Sequence, residues 1–127
     1  MARDFKTLEI WQKSYALALA LYQTTEKFPS HELNNLTSQM RRAAISIPLN
    51  IAEGCSRQTK RSFMQFLSYS YGSIKELQVL IRFAKDLKYI KLDEFVRLNN
   101  ELDGLGMMTF KFMTKVENDV WLSWFKK

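Results

Sequence analysis

The stretch Arg41-Arg42-Ala43-Ala44-Ile45-Ser46-Ile47-Pro48-Leu49-Asn50-Ile51-Ala52-Glu53-Gly54 decides how this chain folds. Taken with Leu36 and Met40 just before it, it sets Leu36, Met40, Ala44, Ile47, Ile51 and Gly54 at alternating four- and three-residue steps. That spacing keeps one seam of a helix against a partner helix. Between Ala43 and Ala52 only Ser46 and Asn50 are polar, so the helix is apolar nearly all round and has more to bury than one seam. Pro48 lies inside it, removing a backbone donor and crowding the preceding turn. A kink near Ala44 to Ile47 is expected, with Ser46 or Asn50 close to the carbonyl left free.

Working outward, the same period recurs on both sides. A first helix is expected over about Thr7 to Lys27, with Leu8, Trp11, Tyr15, Ala18, Leu19 and Tyr22 on its buried stripe, ending before Phe28-Pro29 because the residue before proline avoids helical angles. Ser30 is placed to cap the second helix, and Glu32 to meet the positive end of its dipole. After a break around Ser56 to Thr59, a third helix repeats the seam with Phe63, Leu67, Ser70, Ile74, Leu77, Ile81 and Ala84. Ser70, Gly72 and Ser73 narrow its middle so that a neighbour can come close, while Lys85 and Lys88 suit its C-terminal end. A fourth offers Leu92, Phe95, Leu98, Leu102, Leu105, Met108, Phe112 and Val116.

With four glycines, two prolines and no run of strict apolar alternation, nothing argues for a strand. The expectation is one all-α domain over 1–127, an antiparallel up-down-up-down four-helix bundle with helices at roughly 7–27, 31–56, 60–88 and 92–117 and an aromatic C-terminal segment at 118–127. The chain of 127 residues, 46% hydrophobic and 25% charged, suffices for a core without disulfide or metal. Cys55 is the single cysteine, which fits a reducing, cytoplasmic setting. The N-terminal apolar stretch is interrupted too soon to span a membrane and is followed by no cleavage pattern.

Two features exceed what one bundle needs. The all-round apolar second helix and a further stripe on the third, Phe66, Tyr69, Leu80 and Phe83, point to self-association. Ile45, Pro48, Leu49, Phe66, Tyr69, Trp121 and Trp124 are the candidate interface residues. The segment Val120-Trp121-Leu122-Ser123-Trp124-Phe125-Lys126-Lys127 either extends the fourth helix, plugs a subunit interface or stays in solution; it is too short for the usual membrane-surface helix.

Catalysis has no motif to start from. There is no GxSxG elbow, Walker loop, GxGxxG or HExxH, and His31, the single histidine, falls in an inter-helix turn. Cys55 reads as a small seam filler, although a nearby arginine could lower its pKa. No metal or cofactor is expected, and no enzyme activity.

Charge is more informative. The net charge is +6, and between Ser38 and Met64 five basic residues face one acid, Glu53. Arg42, Ser46, Glu53, Arg57 and Lys60 fall along one side of the second helix, which allows two readings. In one, Arg42, Ser46, Asn50, Glu53 and Glu76 form a partly buried polar network that sets helix register. In the other, Arg41, Arg57, Lys60 and Arg61 contact nucleic-acid phosphates without reading sequence. Basic charge that serves solubility alone, on an adaptor recruiting a protein partner, is the alternative.

The run Leu36-x-x-Gln39-x-Arg41-Arg42-Ala43-Ala44-x-Ser46-Ile47-Pro48-x-Asn50-Ile51-Ala52-Glu53-Gly54, then Arg57, Phe66 and Gly72-Ser73-x-x-Glu76-Leu77, resembles the four-helix bundle proteins encoded in intervening sequences of bacterial 23S rRNA genes. The resemblance covers about Leu8 to Val116. That family is similar to the accessory variability determinant proteins of diversity-generating retroelements. The resemblance therefore implies a homopentamer with a basic surface, RNA or DNA as a partner, and a reverse transcriptase or another protein as a second. It also implies that Ser46, Pro48, Asn50, Glu53 and Gly54 are architectural. The sequence departs from the family pattern at Asn34-Asn35 and at Ser70-Tyr71, and the second departure thins the basic surface.

Overall fold

The computed structural model describes residues 3–120. Its helices are α1 (Glu9–Thr25), α2 (Leu36–Cys55), α3 (Lys60–Asp86) and α4 (Leu92–Lys115), and no strand occurs among the described residues. Short 3-10 turns precede α1 at Phe5–Thr7 and α2 at Ser30–Glu32, and one wide π turn, Val116–Val120, follows α4. Cross-helix bonds fix the chain's directions. Arg41, near the start of α2, bonds Thr25 at the end of α1; Thr24 bonds Glu94 at the start of α4; Lys60, at the start of α3, bonds the Glu117 carbonyl after α4. Each helix therefore runs against the one before it.

The core is the seam read from the sequence for three of the helices. Met40, Ala44, Ile47 and Ile51 of α2, Phe63, Leu67, Ile74, Leu77, Ile81 and Ala84 of α3, and Leu98 and Leu102 of α4 are all buried, together with Val116. Leu92 is not: it sits exposed at the first position of α4.

α1 departs from expectation. Its inner face is Ile10, Ser14, Leu17, Leu21 and Thr25, with Ala18 at the edge, whereas Tyr15, Leu19 and Tyr22 are 49%, 55% and 38% exposed. Spacing alone could not separate two apolar faces, and the choice of the face carrying Ser14 and Thr25 depends on local bonding. Their hydroxyls donate to the Trp11 and Leu21 carbonyls one turn back, so neither polar group enters the core unsatisfied.

Helix ends also follow side-chain chemistry. α2 starts at Leu36 and not at residue 31, and Ser30 does not cap it; Glu32 does, its Oε1 accepting from the Leu36 N–H at 3.3 Å. Thr59 Oγ1 accepts from the Ser62 N–H and starts α3 where the expected break ends. α3 ends in a Schellman motif: the Tyr89 N–H reaches the Ala84 carbonyl at 2.8 Å and the Lys88 N–H the Lys85 carbonyl at 2.9 Å. Lys88 therefore carries φ 68°, in the left-handed region where glycine is usual.

α2 and α3 make the most extensive contact, and small polar residues let them approach. Ser70 Oγ donates to the Ile47 carbonyl at 3.0 Å, and Ser46 Oγ and Ser73 Oγ share a hydrogen at 2.6 Å. Asn50 Nδ2 donates to both the Ser46 carbonyl and its hydroxyl. These bonds lie close to Pro48 but go to Ser46, Ile47 and Ser73 and not to the Ala44 carbonyl one turn before the proline, and α2 runs unbroken through it. Gly72 takes no part, since a Cβ there would point into open space.

Candidate nucleic-acid interface

The α2–α3 corner is the place where sequence-predicted cations meet. Gly54, in the last turn of α2, lets α3 cross close by: a Cβ there would lie 2.9 Å from Phe63 Cδ1 and 3.2 Å from Phe66 Cβ. The chain turns through Ser56, whose hydroxyl returns to the Glu53 carbonyl at 2.7 Å. Arg57 is then laid over Phe66, its guanidinium carbon 4.6 Å from the ring centroid, while Nη2 donates to Glu53 Oε2 at 2.7 Å. Lys60 Nζ donates to the Glu117 carbonyl at 3.0 Å, and Arg61 is exposed with no ion pair among the described residues.

The structure adds a cation that sequence spacing could not place. The Arg3 N–H donates to the Cys55 carbonyl at 3.3 Å, which brings the N-terminal residues onto the end of α2. A contact across more than fifty residues leaves no local period to detect. Arg3, Arg57, Lys60 and Arg61 thus gather at one end of the molecule, with Glu53 engaged by Arg57.

Arg41 does not join them. It lies fourteen residues before Cys55, the last residue of α2, about 21 Å from that end along the helix. There Nε donates to Thr25 Oγ1 at 2.8 Å, Nη2 reaches the Tyr22 carbonyl at 3.5 Å, and the guanidinium covers the Tyr22 ring at 4.6 Å. Arg41 ties the C-terminal turn of α1 to α2. The expected Arg42, Glu53 and Glu76 network is not formed either. Arg42 and Glu76 stand exposed with no bond among the described residues, and Glu53 pairs only with Arg57 on the helix surface. The polar contacts that join α2 to α3 are the hydroxyl ones of Ser46, Ser70 and Ser73, with Asn50 bonded to Ser46 inside α2, and these cost far less to desolvate than ions.

The candidate interface residues fall into three groups. Ile45 and Leu49 are exposed, at 36% and 62%. Pro48 is buried beneath them, and together they form one wall of a groove of about 360 Å³ whose other wall is Trp11, Tyr15, Leu19 and Tyr22. Phe66 is half-buried under Arg57 and meets exposed Tyr69 edge-on at 5.5 Å. Trp121 and Trp124 lie outside the described residues. In the second stripe of α3, Phe83 is exposed but Leu80 belongs to the core.

Cys55 fills the seam as expected. Burial pushes its thiol up to about 11, against which Arg3 works only in part, so the reading of an arginine-activated thiolate is overturned. His31 is exposed in its turn, 3.7 Å from Glu32. No helix among the described residues is long and apolar enough to cross a membrane.

A family model described as 23S rRNA-intervening sequence protein matches residues 6–111, taking in α1, α2, α3 and most of α4. None of the curated proteins compared with the chain matches it.

Proposed function

The chain belongs to the 23S rRNA-intervening sequence protein family, and from that premise we propose that it is a non-catalytic, self-associating module that holds RNA by its phosphates at the α2–α3 corner. The observation that carries the reading is the convergence of Arg3, Arg57, Lys60 and Arg61 at one end of the four helices. Lysine and arginine placed this way displace counterions from a phosphate backbone and give affinity without sequence preference. Arg57 stacked on Phe66, with Tyr69 beside it, also offers flat surfaces on which unpaired RNA bases can stack. Self-association multiplies such corners in one particle, and a ring of five copies is its expected form.

The test is a titration of labelled structured RNA, with duplex DNA alongside, at low and at near-physiological salt. Binding to RNA that weakens steeply as salt rises, and that falls in the Lys60→Glu/Arg61→Glu variant, supports the reading. Equal affinity in that variant overturns it.

The second reading is an adaptor that recruits another protein. It is favoured by the uncovered apolar residues Tyr15, Leu19 and Leu49 on α1 and α2. Recovery of a stoichiometric protein partner with no nucleic acid would decide for it.

A further inference from the structure

We propose that the hollow beside the α3–α4 turn, rimmed by Lys85, Lys88 and Lys91, is a second site for RNA phosphates, at the opposite end of α3 from the α2–α3 corner. The proposal rests on the RNA reading above and extends it from one end of the molecule to both. The hollow, about 490 Å³, is completed by Asp86, Ile90 and Leu92, so three lysines face one acid. Lys85 is engaged, 3.4 Å from Asp86 and 4.6 Å from the centroid of the Phe95 ring. Lys88 and Lys91 are exposed and make no ion pair among the described residues. Asp93 and Glu94 line an adjoining hollow, where Thr24 and Arg97 hold Glu94.

Neither free lysine is placed for stability. Lys88 carries φ 68°, in the region that glycine enters at no steric cost. Lys91 is the N-cap of α4, at the end of the helix where the dipole repels a cation, and its side chain makes no capping bond. Residues that break a local rule with no gain to the fold point to a use outside it. Two ammonium groups brought to the rim of one hollow have a direct use, the neutralisation of a phosphate.

α3 joins this hollow to the corner. Lys85 lies twenty-four residues after Arg61, about 36 Å along the helix. Between them Ser68, Lys75 and Arg82 follow Arg61 at seven-residue steps, so all four fall on one side of α3, and all four are exposed. Lys75 lies 5.2 Å from the centroid of Tyr71, and Arg82 5.3 Å from that of Phe95. The acids of α3 are Glu76 and Asp86, against Lys60, Arg61, Lys75, Arg82 and Lys85. An RNA held at the corner therefore meets further cations along α3 before it reaches the hollow.

The experiment uses Lys88→Gly/Lys91→Ser in the full chain. Both substitutions suit the backbone better than lysine does, glycine at the left-handed position and serine at the N-cap, so the variant should melt at a higher temperature. Its affinity for labelled structured RNA at near-physiological salt should nonetheless fall about fivefold or more. The slope of log affinity against log salt should become shallower by about one to two, the share of two phosphate contacts. Unchanged affinity and slope overturn the proposal. An equal loss in Lys13→Gln, which removes a positive charge from α1, would make the effect one of net charge and overturn it too. Weakening in this variant with none in Lys60→Glu/Arg61→Glu would overturn the corner reading alone, and the reverse would overturn this one alone.

Discussion

Tyr89 Oη donates to Glu32 Oε2 across 2.7 Å, and that bond fastens the α3–α4 turn to the connection between α1 and α2. The same carboxylate accepts from Asn35 Nδ2 at 3.2 Å and from the Leu36 N–H at 3.3 Å, so one side chain both closes the fold at this end and caps α2. The Tyr89 hydroxyl, foremost, holds the Glu32 carboxyl below its ordinary range against burial, which pushes it up.

The pH dependence follows from that direction. A carboxylate with a depressed folded pKa contributes stability that is fully present above its unfolded value and is lost as pH falls through the folded one. Glu32→Gln should lower the urea midpoint at neutral pH. Its gap to the unsubstituted protein should close as pH falls below about 4, the ordinary carboxylate range. Urea melts at neutral and acid pH check this, and a gap that persists in acid counts against it.

Gly54 is held to glycine by its neighbour. A methyl group there would press on Phe63, a buried ring set edge-on to Phe112 at 6.0 Å. Gly54→Ala should destabilise the fold by about 1–3 kcal/mol, the usual range for overpacking. Chemical denaturation measures it, and an unchanged or raised midpoint would show that Phe63 can move aside.

The seams of α2 and α3 were legible in the sequence because burial on these helices is periodic and both elements exceed four turns. α1 was misread because it has two apolar faces. Tyr15, Leu19 and Tyr22 carry more apolar surface than Ser14 and Thr25, and only the backbone bonds of those hydroxyls reveal which face turns inward. At the candidate site, Lys60 and Arg61 were legible from charge clustering along the chain. Arg3 was not, because it arrives by a long-range backbone contact, and Arg41 was misassigned because its partners, Thr25 and Tyr22, belong to another helix.

Lys88 ends α3 in a conformation that costs an L-residue energy and glycine none. Lys88→Gly keeps the two Schellman hydrogen bonds and removes the clash of Cβ, at some loss from the greater freedom of glycine in the unfolded chain. The net expectation is a gain of about 0.5–1 kcal/mol, read as a higher melting temperature. A lower melting temperature would mean that the lysine side chain contributes more at this turn than its backbone costs.

Arg41 and the pair Lys60 and Arg61 separate architecture from binding, because Arg41 sits near the start of α2 while the pair opens α3, just past the other end of α2, and their partners differ. The Arg41 guanidinium bonds Thr25 and covers Tyr22, so Arg41→Gln breaks a charge-assisted bond between α1 and α2 and should cost about 1–3 kcal/mol of stability. It removes no cation from the corner, so RNA affinity at a fixed salt concentration should hold. Lys60→Glu/Arg61→Glu does the reverse. Both positions lie in the first turn of α3, where acidic residues suit the helix dipole, so the fold should be kept while RNA affinity and its dependence on salt both fall. Urea melts and RNA titrations on the two variants give four numbers. If Arg41→Gln lowers RNA affinity as much as the double reversal does, the phosphate-binding surface extends along the whole of α2 and the corner is only part of it.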